Sequence, residues 1–173
     1  PTYYGGFTEQ PLFGKCLGIW SIFIGNEPLL LLVSFFNSSH LIKVYQNGLE
    51  DVSIEYQFCT SLPTINCYPL STDKFIQITK NEILVCNLKM GNDEAVSISG
   101  ILADNILLSH SDETYLVIYT NESRIYIYEL DKFTLLNSFI LNFNVSLIYL
   151  YSESIYFVDY DGTIRVADFE GRC

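Results

Sequence analysis

The sequence predicts an all-β protein, a WD40-like β-propeller in which about four blades are visible. Helical periodicity is almost absent, and the apolar runs are short, rich in β-branched and aromatic residues, and interrupted by Asn, Asp, Ser and Gly. These runs recur in sets of three or four with a period near 40 residues, which is typical of propeller blades. A short polar turn stands at an equivalent point of successive sets. Together these observations predict repeated antiparallel sheets.

Each set is predicted from its own apolar runs. In the first set, residues 29–36 and 40–46 are predicted strands, Asn47-Gly48 is a hairpin signal, and residues 52–58 follow as a further strand. The strands of the later sets are 64–70, 74–79 and 82–88, then 106–109, 114–120, 123–130 and 134–140, and finally 146–151, 154–160 and 163–169. The second strands begin near residues 29, 74, 114 and 154, which are 45, 40 and 40 residues apart. The repeat therefore extends over most of the chain.

Tight turns join the second and third strands of three sets. They are Asn81-Glu82, Asn121-Glu122-Ser123 and Asp161-Gly162-Thr163. Asn, Asp and Gly are favoured in such short loops because they tolerate positive φ. We therefore expect one propeller domain over residues 1–173 with blades at about 16–59, 62–99, 104–141 and 144–170.

The apolar runs also predict which strands are covered. Inner strands of a blade lie between neighbouring blades, so continuous apolar runs such as 29–33 and 115–119 are expected there, whereas residues 123–129 read as a half-polar outer strand. Four blades form an open arc with two unpaired apolar faces. We therefore expect the chain to be part of a larger, seven-bladed propeller, closed by further sequence or by another chain.

Composition excludes several function classes. The chain has 173 residues with a formal net charge of −11, and it is 49% hydrophobic, which is too apolar for a disordered acidic tail. Its nine basic residues are scattered, so direct binding to nucleic acid or to an anionic membrane is not expected. No apolar run reaches the roughly 20 residues of a membrane-spanning helix.

The residues capable of chemistry fit structural roles better than catalytic ones. The five cysteines, Cys16, Cys59, Cys67, Cys86 and Cys173, form no CxxC pair, so they are interpreted as small core residues in a reducing compartment. No phosphate-binding loop or HExxH motif occurs. We expect no cofactor, no metal site and no catalytic residue.

Two polar segments need a separate interpretation. His110 lies among Ser109, Ser111 and Asp112. A catalytic triad requires residues that converge in space, not neighbours in sequence. A loop rich in Ser and Asp explains this segment instead. Residues 159–162 have the first spacings of a calcium loop, yet the Asp-Gly pair favours a hairpin turn. Trp20 is expected to fill the core or the space between blades.

Several short sequence segments, in their order along the chain, resemble the second propeller of the large damaged-DNA-binding protein family. These are GIWSI (18–22), LLLVSF (30–35), HLIKV (40–44), LPTI (62–65), KFIQIT (74–79) and LVC (84–86). The family includes cullin-ligase adaptors of DNA repair and heterochromatin silencing, together with large subunits of the cleavage-and-polyadenylation factor and of a splicing complex. The chain departs from its pattern in having a short passage from Asn87 to Ile106, where members carry a longer stretch. Relative to full members, which are several times longer, we expect the sequence given to be without their first and third propellers and C-terminal helical part.

The resemblance implies a non-catalytic scaffold in the nucleus. Its closest match in function is the adaptor of a cullin-RING ubiquitin ligase, in which the second propeller docks the N-terminal region of a cullin and the other propellers hold substrate receptors. An alternative is a scaffold subunit of mRNA 3′-end processing or splicing. A remote alternative, an extracellular propeller, is motivated by the sequons at Asn37, Asn121 and Asn144. No sequence motif identifies individual contact residues, so the partner-binding residues are unknown at this stage.

Overall fold

The computed structural model describes residues 14–22, 29–46, 48–71, 73–88, 96–97 and 104–172, and they form an all-β protein of four antiparallel sheets. The first sheet contains, in spatial order, β1 (Cys16–Ile22), β2 (Leu30–Phe35), β3 (Ser39–Tyr45) and β4 (Gly48–Asp51). The second contains β5 (Asn66–Ser71), β6 (Lys74–Ile78), β7 (Ile83–Asn87) and β8 (Val96–Ser97). The predicted all-β class is confirmed.

The two later sheets lie in the second half of the chain. The third sheet has the order β12-β11-β10-β9, formed by β9 (Ile106–Ser111), β10 (Tyr115–Thr120), β11 (Arg124–Glu129) and β12 (Thr134–Ile140). The fourth contains β13 (Val145–Tyr151), β14 (Ser154–Asp159) and β15 (Ile164–Asp168). Strands consecutive in sequence are therefore neighbours in every sheet. The division into blades at 16–59, 62–99, 104–141 and 144–170 stays a prediction.

The strand predicted over residues 52–58 is wrong. The fourth strand of the first sheet is β4, which ends at Asp51, and a short 3-10 turn follows at Ser53–Glu55. The Asp51 carboxylate accepts hydrogen bonds from the Ser53 amide and hydroxyl, and the Ser53 oxygen in turn accepts one from the Leu41 amide. This turn chemistry ends the strand earlier than the apolar residues alone suggest.

The interpretation of residues 123–129 as a half-polar outer strand is also wrong. β11 lies between β10 and β12, and its residues 125–128 are buried, whereas β12 is the outer strand. Isoleucine and tyrosine alternate along β11, so one face of the strand carries Ile125 and Ile127 and the other carries Tyr126 and Tyr128. Both faces of β11 are buried, because tyrosine rings can be buried in a core just as aliphatic side chains can.

The chain divides into two compact units, Pro1–Gln77 with Val85–Val96 and Ile78–Leu84 with Ser97–Cys173. In the first unit β1 lies alongside β5, and in the second unit β9 lies alongside β13. The third and fourth sheets share one apolar core within the second unit. Its buried members are Val117, Tyr119, Ile125, Ile127, Leu141, Val145, Ile148, Leu150, Ile155, Phe157 and Ala167.

A buried polar network in the first unit fixes the segment that connects the first two sheets. Gln77 is fully buried, and its side-chain amide donates to the Cys59 carbonyl and the Thr64 hydroxyl, both at 2.8 Å. The Gln77 side-chain carbonyl accepts a hydrogen bond from the Cys59 amide, also at 2.8 Å. Thr64 also lies 2.8 Å from the Ser39 hydroxyl, and its amide donates to Ser34. Buried polar groups require such partners, so the network holds this connection in one conformation.

The role expected of Trp20, to fill the core or the space between blades, stays a prediction. Trp20 is half-buried, and its ring lies directly against Gly18, where an added Cβ would come within 2.5 Å of the ring. The glycine thus provides the space that the indole occupies. Any larger residue at position 18 would displace the ring.

Candidate interaction surface

His110 joins two sheets of the second unit. The Leu150 amide of β13 donates a hydrogen bond to His110 Nδ1 at 3.2 Å, and the His110 ring lies 4.3 Å from the Tyr149 ring. Burial lowers the pKa of His110, against a smaller opposing effect of Asp112. The Asp112 carboxylate accepts hydrogen bonds from the amides of Thr114 and Tyr115. Asp112 is thus a turn residue, as predicted, but Ser109, His110 and Ser111 lie within β9, so the loop interpretation is wrong for these three.

Asp159 organises the turn between β14 and β15. Its Oδ1 accepts hydrogen bonds from the Thr163 and Asp161 amides at 2.8 and 3.1 Å, and its Oδ2 pairs with Arg165 at 3.2 Å. The bond from the Thr163 backbone contributes most to a lowered pKa of this carboxyl. The hairpin-turn interpretation is therefore confirmed. Among the described residues, no group of three or more His, Cys, Asp or Glu could hold a metal ion.

The described cysteines occupy different environments. Cys67 and Cys86 are buried, as expected of core residues, and burial raises the pKa of the Cys86 thiol to about 12. Cys59 is half-buried and Cys16 is exposed, so the core interpretation is wrong for Cys16. Position 173 lies outside the described residues.

One face of the fourth sheet is apolar and exposed. Cross-strand pairing places Leu147, Val158 and Ile164 in one row. Tyr149, Tyr156 and Val166 form the next row. The exposed fractions of Leu147, Tyr149, Ile164 and Val166 are 63%, 54%, 69% and 44%. A contiguous exposed apolar patch of this kind is typical of an interaction surface. We call these six residues the outer face.

Among the described residues, the fourth sheet has one strand fewer than the other three. In the part of the chain that the structure describes, β15 pairs only with β14, so it is the last strand of a three-stranded sheet. The other three sheets each have a fourth strand.

A cleft of about 620 Å³ lies beside β15, within the second unit. It is lined by Phe139, Ile140, Leu141, Asn142, Phe143, Arg165, Val166 and Gly171. The Arg165 guanidinium lies 4.7 Å above the Phe143 ring, which places a cation over one apolar wall. The cleft therefore lies between the end of β12 and β15, and polar groups, including those of Asn142 and Arg165, line it together with apolar side chains.

A compact turn follows β15. The Asp168 amide donates to the Arg172 carbonyl at 3.1 Å, and the Asp168 carboxylate accepts hydrogen bonds from the amides of Glu170 and Arg172. Gly171 has a φ of +78°, a conformation that other residues rarely adopt. The turn therefore brings Arg172 back beside Asp168, on the outer side of β15.

The sequence matches the family model described as "RSE1/DDB1/CPSF1 second beta-propeller" over residues 8–171. The chain belongs to this family. Membership in the RSE1/DDB1/CPSF1 second-propeller family confirms the resemblance and indicates a scaffold role. No curated protein matches the sequence significantly.

Solved structures of other proteins show the same fold. A structure titled "Kluyveromyces lactis Hsv2 complete loop 6CD" is similar with a TM-score of 0.67 and 10% identity, over 91% of this chain and 49% of that one. Apo AztD from Citrobacter koseri is similar with a TM-score of 0.58 and 15% identity, over 90% and 45%. The computationally designed Ika4 protein is similar with a TM-score of 0.64 and 12% identity, over 92% and 94%. This chain thus spans about half the length of the first two.

The sequence alone does not identify the partner-binding residues or the residues of the outer face. The alternation that produces the outer face is present in β13, where the exposed Leu147, Tyr149 and Tyr151 alternate with the buried Ile148 and Leu150. Both sets are apolar, so the sequence does not distinguish the covered face from the exposed one. Within the described residues, no helix has the length and apolarity of a membrane span.

Proposed function

We propose that this second-propeller chain is the non-catalytic interaction scaffold of a cullin-RING ubiquitin ligase adaptor, acting in the nucleus in DNA repair or heterochromatin silencing. The observation that carries the proposal is the family match over residues 8–171. In the resemblance drawn from the sequence, the ligase members use their second propeller to dock the N-terminal region of a cullin. The exposed outer face supplies an apolar surface suited to protein binding.

The mechanism of such a scaffold is geometric. Sheets with a shared core, such as the third and fourth, hold their exposed side chains at fixed spacings, so a partner meets a preformed surface. The formal net charge of −11 favours partners with basic patches, because complementary charge accelerates association. No reactive group is required.

Binding to a cullin tests the proposal. The native protein is purified and titrated with a cullin N-terminal fragment, and the titration is repeated after deletion of residues 8–171. Binding that depends on these residues is the expected result. Binding that survives the deletion, or no binding at all, contradicts the ligase assignment.

A scaffold of mRNA 3′-end processing or splicing is the second candidate, because the family description places RSE1, DDB1 and CPSF1 together. Co-purification from native extract separates the two functions. Polyadenylation or spliceosomal subunits in the purified complex would favour this candidate, whereas a cullin would favour the first.

A further inference from the structure

We propose that one end of the first sheet binds an amphipathic helix of a partner protein, which carries apolar side chains on one face and Lys or Arg beside them. The site is formed by Phe36, Ile54 and Leu62, which we call the loop-end cluster. All three residues belong to the first unit. The inference goes beyond the proposed function, because it holds whatever partner the other surfaces of the scaffold bind.

Two of the three residues meet at the start of β3. The Ser39 amide donates a hydrogen bond to the Thr60 carbonyl at 3.0 Å, and the Ser39 hydroxyl donates one to the Leu62 carbonyl at 2.8 Å. Phe36 lies in the turn between β2 and β3, three residues before Ser39. Phe36 and Leu62 are therefore brought to the same end of the first sheet.

The third residue reaches this end from β4. The Val52 amide donates to the Leu41 carbonyl, and the Leu41 amide donates to the Ser53 hydroxyl, both at 2.9 Å. Ile54 follows Ser53 directly. Leu41 and Ser39 are two residues apart on β3, which corresponds to about 7 Å. The segments that carry the loop-end cluster thus attach to adjoining positions of one strand.

The three side chains are large, apolar and exposed. The exposed fractions of Phe36, Ile54 and Leu62 are 78%, 98% and 39%. A single exposed apolar residue is ordinary on a protein surface. Three of them on segments that are bonded to adjoining positions of one strand form a group of the kind that marks an interaction surface.

Hydrogen bonds hold the loops of this end in place before any partner binds. The Asp51 carboxylate accepts a hydrogen bond from the Ser53 amide at 3.0 Å, and its other oxygen lies 2.8 Å from His40 Nδ1. The Thr64 amide donates to the buried Ser34 hydroxyl at 2.8 Å. A partner therefore meets loops that are already ordered, which lowers the entropic cost of binding.

Backbone pairing at this end favours a helix over an added strand. The amides of Ser39 and Leu41 already donate to Thr60 and Ser53, and the Leu41 carbonyl already accepts from Val52. A partner strand would need these groups for its ladder. A helix satisfies its own backbone and offers only side chains. Apolar residues three or four positions apart on a helix lie about 5–6 Å from each other, close to the spacing of the segments here.

Charge indicates basic residues beside the apolar face of that helix. Residues 34–64 contain three carboxylates, Glu50, Asp51 and Glu55, and one lysine, Lys43. Lys43 stands opposite Glu50 in the ladder between β3 and β4. The excess of negative charge favours Lys or Arg on the partner, whereas a second copy of this chain would add a formal charge of −11.

The test uses the full chain and a fluorescein-labelled helical peptide of about 18 residues, with Leu along one face and Lys on both sides of it. We expect Ile54→Ser to weaken binding about tenfold. Ile54 is almost fully exposed, so this substitution leaves the core unchanged. The matched control is Ile164→Ser, the same substitution at an isoleucine that is 69% exposed in β15, and it should leave the affinity within about twofold.

Two further measurements do not depend on the serine variant. Glu55→Lys should weaken binding of the cationic peptide about threefold or more, because it reverses a charge beside Ile54. A peptide with a photoreactive benzoylphenylalanine in place of its central Leu should cross-link to the unaltered chain at or next to the loop-end cluster. Mass spectrometry of the cross-linked product identifies the position.

Five outcomes would overturn the inference. They are no saturable binding of the helical peptide, equal binding of a scrambled peptide whose Leu residues do not share a face, unchanged binding by Ile54→Ser, equal weakening by Ile164→Ser, and cross-links confined to other parts of the chain. None of these experiments contains a cullin. Failure of the loop-end cluster is therefore distinguishable from failure of the proposed function.

Discussion

Gln77 shows how one buried side chain determines the path of a whole connection. Its amide makes three hydrogen bonds to Cys59 and Thr64, and it is fully buried. A side chain without polar atoms at this position would leave the partly buried Cys59 amide and carbonyl, and the Thr64 hydroxyl, without these hydrogen bonds. Each such group costs about 1–3 kcal/mol.

We therefore expect Gln77→Leu to lower the free energy of unfolding by about 2–4 kcal/mol. Chemical denaturation monitored by circular dichroism measures this quantity. The matched control is Gln57→Leu, the same substitution at an exposed position, which should change the free energy by less than about 0.5 kcal/mol. Equal effects at both positions would show that the network contributes nothing.

The turn between β13 and β14 is an element whose residues do not suit its backbone. Ser152 and Glu153 both have positive φ, 50° and 62°, where Asn-Gly is the favoured pair. We expect the double substitution Ser152→Asn, Glu153→Gly to raise the free energy of unfolding by about 1 kcal/mol. The exposed bond from Tyr115 to Glu153 would be lost at little cost.

Thermal unfolding of this double variant checks the prediction. Glu122→Gly is the control, since Glu122 lies in a comparable turn but has no positive φ. A gain in stability from the control, or none from the double variant, would refute a backbone origin.

The contact between β9 and β13 should depend on pH through His110. Its Nδ1 accepts a hydrogen bond from the Leu150 amide, which requires the neutral ring, and burial lowers its pKa from 6.5. Because the folded pKa is depressed, this stabilisation is complete above the unfolded pKa of about 6.5 and is lost progressively as pH falls from there through the folded pKa. Asp112, which raises the pKa, opposes the effect in part, and Tyr149 is the other titratable group beside the ring.

We expect the free energy of unfolding to fall between pH 7.5 and 5.5 more steeply in the unaltered chain than in His110→Asn. The asparagine keeps an acceptor near the Nδ1 position and cannot be protonated. Denaturant titrations at several pH values measure both slopes. If the unaltered chain and His110→Asn show the same pH dependence, protonation of His110 does not break the hydrogen bond from the Leu150 amide in this pH range.

Across the whole molecule, the sequence predicts elements far better than surfaces. The range 134–140 was predicted and observed as β12, because polar turns at both ends delimit its pattern. β4 was missed because hydrogen bonds of Asp51 and Ser53, not apolar residues, determine its end. The sequence predicts unpaired apolar faces at the ends of the repeat, but it does not identify the residues of the outer face or the cleft, since an exposed sheet face and a covered one carry the same apolar pattern. Only the arrangement of sheets distinguishes them.

The exposed residues of the outer face should tolerate charged substitutions that the shared core does not. Leu147 and Ile164 are 63% and 69% exposed, whereas the neighbouring Ile148 is 8% exposed and packs in the core that the third and fourth sheets share. In the chain as given, Leu147→Lys with Ile164→Lys should change the free energy of unfolding by less than about 0.5 kcal/mol, whereas Ile148→Lys should cost more than about 4 kcal/mol. Binding of an apolar dye should fall in the first variant, because two exposed apolar side chains are gone. Should the double variant instead be as destabilised as Ile148→Lys, the outer face would have to be covered in solution, and the surface offered to partners would lie elsewhere.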